Sequence, residues 1–189
     1  MVFNGIIIQD LRKPIPESYI SNLHSRYKGI HQYYHAPLLG VSNERCKKLT
    51  DEAMWLKRND GTSSLLEFIS SLDLAKRYIN ECENQGIPTR ILFAESDYAE
   101  EIWKDKLPKM KLLGYEYLEI PFDTQIITDL DRCQLFHPFH TLLNENGLFN
   151  SIKDAQKFKE CYDKAFREGT VGDGETDNYI LKVYEIEKL

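Results

Sequence analysis

The sequence predicts a layered domain of the α/β or α+β class, with a mixed sheet of about four strands covered by helices. Three observations carry this reading. First, residues 89–120 read as a complete strand–helix–strand unit. Arg90-Ile-Leu-Phe-Ala-Glu-Ser-Asp97 is a short apolar run ending in carboxylates, and Gly114-Tyr-Glu-Tyr-Leu-Glu-Ile120 alternates apolar with acidic side chains. An amphipathic segment lies between them, and strands joined by a helix run parallel with a right-handed crossover, so a parallel β–α–β unit is expected at 89–120. Second, two similar helix-to-strand units echo each other: Ser71-Leu-Asp-Leu-Ala-Lys-Arg-Tyr78 matches Ser151-Ile-Lys-Asp-Ala-Gln-Lys-Phe158 in pattern. Third, 189 residues that are 42% hydrophobic and 29% charged can bury a sizeable core, which suits a single domain over 1–189.

Taken in order, residues 2–9 read as a first strand, closed by a turn at Pro14 and Pro16. Ile20, Leu23 and Tyr27 recur at helical spacing over 17–27. Gly29 to Gly40 breaks that pattern with Pro37 and the run His31, Tyr33, Tyr34, His35. Helix returns at 44–57, where Cys46, Leu49, Ala53 and Leu56 share a face, and Asn59-Asp-Gly-Thr is a turn, after which Ser63 or Ser64 can cap a further helix. In the two echoed helices Ser71 and Ser151 are N-caps, because a serine hydroxyl can accept from an orphan N–H of the first turn. Gly86 and Gly169 are the corresponding stops. The second echoed helix, 151–168, carries the clearest apolar stripe: Ile152, Ala155, Phe158, Tyr162, Ala165 and Phe166. Residues 132–147 are irregular or helical, broken by Pro138, and the last strand is 178–186.

A formal charge of −6 argues against direct nucleic-acid binding, which needs a basic footprint. No stretch is long and apolar enough to cross a bilayer, and the N-terminus lacks the basic lead of a signal peptide, so no membrane partner and a cytoplasmic location are expected. Cys46, Cys82, Cys133 and Cys161 are scattered and form no C-x-x-C pair, as expected of reduced thiols.

Open sheets bind ligands at the carboxyl ends of parallel strands, which singles out Glu95, Ser96, Asp97, Glu119 and Asp123. Carboxylates there could act as acid and base or meet the arginines of a partner. Ser96 or Asp97 equally suits the cap of the following helix, with Glu100 and Glu101 complementing its dipole. The pairs His31/His35 and His137/His140 have helical spacing, yet glycines surround the first and Pro138 interrupts the second, so no metal and no cofactor are expected. The segment 169–178 lacks the Gly-Lys-Ser/Thr ending of a phosphate loop, and its Asp173, Glu175 and Asp177 are not followed by the twelfth-position Glu of a calcium loop. There is no G-x-S-x-G and no cysteine-protease signature, and no catalytic residue is assigned.

Between Ile91 and Leu130, the strand ending Phe93-Ala-Glu-Ser-Asp97, then Leu112-Leu-Gly-Tyr-Glu-Tyr117 and the acidic close Ile126-Ile-Thr-Asp-Leu130, resemble small cytosolic immunity-type proteins of bacterial toxin systems. The resemblance covers under a quarter of the chain and carries over no catalytic residues. It implies a non-enzymatic protein that masks the active site of a cognate toxin, and the acidic strand ends and loops would suit a basic one. The partner-binding residues expected on this reading are Glu95, Asp97, Glu119, Asp123, Tyr33, Tyr34 and His35. The alternatives are a small hydrolase or nucleotide-processing enzyme using the strand-end carboxylates, and a regulatory small-molecule-binding domain.

Overall fold

The computed structural model describes residues 4–12, 37–38, 40–59, 69–96, 107–120, 124–125, 133–171 and 177–189. Within them β1 (Asn4–Asp10), β2 (Thr89–Ser96), β3 (Met110–Ile120), β4 (Thr124–Gln125) and β5 (Asp177–Ile186) form one sheet, in the order β1-β2-β5-β3-β4. Its helices are α1 (Glu44–Asn59), α2 (Leu72–Asn84) and α3 (Ile152–Arg167), with a 3-10 segment at Gln134–Leu142.

Among the described residues every strand pairing is antiparallel, so the fold is α+β and the sheet they form is not mixed. The parallel β–α–β unit expected at 89–120 is not formed. β5 lies between β2 and β3 and pairs with both, placing Tyr184 opposite Phe93 on one side and Leu112 on the other. The physical reason for the misreading is visible in β2. Residues 91–96 are buried on both faces of the sheet, and strands covered on both faces read as continuous apolar runs whether their neighbours are parallel or antiparallel. The connecting residues 97–106 lie outside the described residues, as does the helix expected at 17–27.

On one face of the sheet Ile6, Ile8, Ile91, Phe93 and Ile186 pack against Leu74, Ala75, Tyr78 and Cys82 of α2 and Cys46 and Leu49 of α1. Further along the same face, Tyr117 and Ile180 pack with Phe136, Phe149 and the α3 residues Ala155, Phe158 and Tyr162. The opposite face buries Ile7, Leu92, Ala94, Leu181 and Val183 with Leu148.

The helix ends follow the serine and glycine chemistry. Ser71 Oγ accepts from Leu74 N, and Ser151 Oγ accepts from Asp154 N, both at 3.2 Å. Gly86 and Gly169 then take φ of +64° and +68°, a left-handed conformation that glycine adopts without a Cβ penalty. Ser151 also donates to Asp154 Oδ2 at 2.7 Å, and this bond, helped by Lys157 and opposed by burial, holds the Asp154 carboxyl below its ordinary value. Ser151→Ala should therefore cost about 1 kcal/mol at neutral pH. A carboxyl held low in the folded state adds stability above its unfolded pKa and loses it as pH falls through the folded one. The gap between variant and wild type in urea melts should narrow on acidification; a pH-independent gap would confine the effect to the cap itself.

Candidate functional site

Cross-strand register assembles the site. Glu95, Lys182 and Tyr115 stand opposite one another across β2, β5 and β3, forming one lateral row, with the backbone of Asn4 on β1 opposite Glu95. Residues directly opposite in antiparallel strands project to the same face with Cβ atoms about 5 Å apart. This row separates the apolar rows of the α1/α2 side (Ile6, Phe93, Tyr184) from the Tyr117–Ile180 pair under α3. A polar row between two apolar clusters is the feature of this face that packing alone does not require.

Glu95 is only 6% exposed, and its Oε1 accepts from Tyr184 Oη at 2.9 Å. The Tyr184 ring lies 6.2 Å from that of Phe93, which fixes the phenol on the sheet. Lys182 and Tyr115 are half-buried, as is Tyr184 in the adjoining row, so the polar row meets solvent along its β5–β3 half. Beside it, Gly114 interrupts β3 with a bulge and lets the chain at 143–149 lie against the strand: Tyr115 and Phe149 exchange backbone hydrogen bonds at 3.0 and 2.9 Å. Asn144 secures that chain by donating through Nδ2 to the Leu113 carbonyl at 2.7 Å while its Oδ1 accepts from Asn146 N at 2.9 Å.

Two further ionic groups are structural in placement. Asp10, 1% exposed, receives Arg12 Nε and Nη2 at 3.1 and 2.9 Å, and Arg12 also reaches the Pro37 carbonyl. Buried Glu81 of α2 accepts from Gln85 Nε2 at 2.8 Å and pairs with Arg45 Nε at 3.0 Å, tying α1 to α2. The Gln85 bond and the Arg45 charge hold its carboxyl below the ordinary value against the cost of burial.

Of the residues expected to bind a partner, Glu95 sits in the row, inward-facing rather than displayed. Glu119 lies on β3 with its backbone opposite Asn178 on β5 and Thr124 on β4. Asp97, Asp123, Tyr33, Tyr34 and His35 lie outside the described residues, as do His31, Asp173 and Glu175. His137 and His140 are near neighbours, with ring centroids 5.4 Å apart and edge to face. Among the described residues no group of three or more His, Cys, Asp and Glu is placed to hold a metal ion, and no helix is long and apolar enough to cross a membrane.

Sequence reasoning missed Lys182, Tyr184 and Tyr115. A signal was present for the first two: in 178–186 the period of two puts Ile180, Lys182, Tyr184 and Ile186 on one face, and a lysine inside an apolar face needs a partner. Comparison with protein-family models, curated proteins and solved structures finds no match to the chain.

Proposed function

We propose that this chain works by binding another protein, as an immunity-type inhibitor of a basic toxin, and not by catalysis. The observation that supports this best is the state of Glu95. A general acid or base must come within about 3 Å of the proton it moves, directly or through one water. Glu95 instead faces inward and is engaged by Tyr184 across the β2–β5 pairing, where it serves to join strands. The motif resemblance over residues 91–130 supplies the class of partner.

The test is co-expression with the polypeptide encoded immediately upstream, followed by size-exclusion chromatography and an assay of that polypeptide's toxicity. A co-eluting complex with toxicity suppressed is the expected result. Charge complementarity acts mainly on association rate, so Asp97→Lys with Glu119→Lys should slow complex formation at low salt, whereas Glu95→Gln should bind as the wild type does. An unchanged rate in the double variant would remove the acidic face from the interface.

The grouping of Glu95 with Lys182 opposite it and Tyr184 on its Oε1 favours a second reading, a small hydrolase in which the carboxylate acts as base. Turnover of an ester or phosphoester panel that is lost in Glu95→Gln, with the fold retained, would establish that reading and displace the first.

A further inference from the structure

We propose that Asn146 is a site of covalent self-modification, at which the Gly147 backbone nitrogen attacks the asparagine amide and converts it to aspartate or isoaspartate, with the Asn144 side chain as the gate. An asparagine before glycine is prone to this reaction because glycine has no side chain to shield its nitrogen. Two asparagines of the chain precede glycine, Asn4 and Asn146. The fold treats them differently. Asn4 and Gly5 lie inside β1, with their backbone paired to Glu95 and Ala94 of β2, so the strand must open before the Gly5 nitrogen can move. Asn146 and Gly147 instead fill the third and fourth positions of a β-turn: Gly147 N donates to the Asn144 carbonyl at 2.9 Å, and Gly147 takes φ of +71°.

One side chain holds that turn closed. Asn144 Oδ1 accepts from Asn146 N at 2.9 Å and from Leu148 N at 3.3 Å, while its Nδ2 donates to the Leu113 carbonyl on β3 at 2.7 Å. The reaction runs from the opened turn, so its rate scales with the fraction of molecules in which the turn is open. Each hydrogen bond removed raises that fraction by about fivefold. Arg90 favours one product. Its Nη2 donates to Asn146 Oδ1 at 3.0 Å while Glu185 holds its Nε at 2.9 Å. After conversion to aspartate the same oxygen belongs to a carboxylate, and the contact becomes a charge-assisted bond. Isoaspartate lengthens the main chain by a methylene and disturbs the bonds that join residues 144 and 148 beside the Tyr115–Phe149 pair.

In the first step the Gly147 nitrogen, having given its proton to a solvent base, attacks Asn146 Cγ. A C–N bond forms, the bond from Cγ to Nδ2 breaks, and the amide nitrogen leaves as ammonia with protons from water. In the second, water adds to either carbonyl of the cyclic imide. Cleavage of one ring C–N bond restores the main chain with aspartate, and cleavage of the other leaves isoaspartate. Water is consumed, ammonia is released, and nothing is oxidised.

The experiment incubates the folded full chain at neutral and mildly alkaline pH. Intact mass, peptide mapping and labelling by an isoaspartyl methyltransferase follow the conversion. The expected result is conversion at Asn146 well ahead of Asn4, with both sites reacting in urea, where neither turn nor strand persists. Asn144→Ala, with its fold checked by circular dichroism, should speed the reaction at Asn146 by about fivefold or more and leave the rate at Asn4 unchanged. The comparison of two sites within the wild type needs no variant to fold. An Asn146 that reacts in urea but not in the folded chain, an Asn4 that converts as fast as Asn146 in the folded chain, or an unchanged Asn146 rate in folded Asn144→Ala would each overturn the proposal.

Discussion

Replacing Phe158 with Ala should lower the stability of the protein by about 3–5 kcal/mol, the range for deleting a fully buried aromatic side chain. Phe158 is completely buried on α3, and its ring meets Tyr117 at 4.9 Å, Phe136 and Phe139 at 5.1 Å and Phe149 at 5.7 Å. These partners come from β3, the 3-10 segment and the chain beside β3, so one truncation opens a cavity where three elements meet. Edge-to-face contacts add about 0.5–1.5 kcal/mol per pair beyond the area term, and rigid neighbours cannot all collapse inward. Urea denaturation should show a lower midpoint with an unchanged slope. A midpoint equal to the wild type would mean that the stripe of α3 is not core, and would make that helix face a binding element.

Gly114→Ala should be of similar size, about 2–4 kcal/mol, for a different reason: crowding rather than a void. A Cβ at Gly114 would stand 2.7 Å from the Phe149 carbonyl oxygen and 2.8 Å from Leu148 Cβ, and the glycine φ is +154°. Neither neighbour is the far end of a flexible side chain. The strand and the 143–149 chain would have to part, breaking the Tyr115–Phe149 hydrogen bonds at the border of the polar row. A proton NMR spectrum of the variant should show shifts concentrated at Tyr115, Asn144 and Phe149. A variant as stable as the wild type would show that the close approach is not a feature of the protein in solution.

The elements themselves were legible because each carries a local signal. The strand expected at 178–186 spans 177–186, and the helix expected at 151–168 spans 152–167. The capping roles of Ser71 and Ser151 hold at the atomic level, since a cap is decided within three residues. The pairing of the strands was not legible. The order of β2, β5 and β3 depends on contacts between residues that are distant in the chain, and the doubly buried face of β2 imitated the signature of a parallel sheet.

The site was legible only in part, for the same reason. Glu95 stood out as a strand-end carboxylate, but Lys182 opposite it and Tyr184 on its Oε1 arrive from the far end of the chain. The carboxylates were expected to crowd at the ends of parallel strands. With β5 inserted between β2 and β3, Glu95 at the end of β2 instead stands in a lateral row, opposite Lys182.

The central position of β5 also governs how the molecule can be made. On the ribosome, β1, β2 and α2 emerge early, and β3 follows, but among the described residues no strand pairing joins β2 to β3 until residues 177–186 are released. Until then β2 and β3 each offer an unsatisfied backbone edge, the kind of surface that recruits other strands. A nascent chain interrupted before Asp177 therefore carries two such edges at once. Pairing of β5 satisfies both edges in one step.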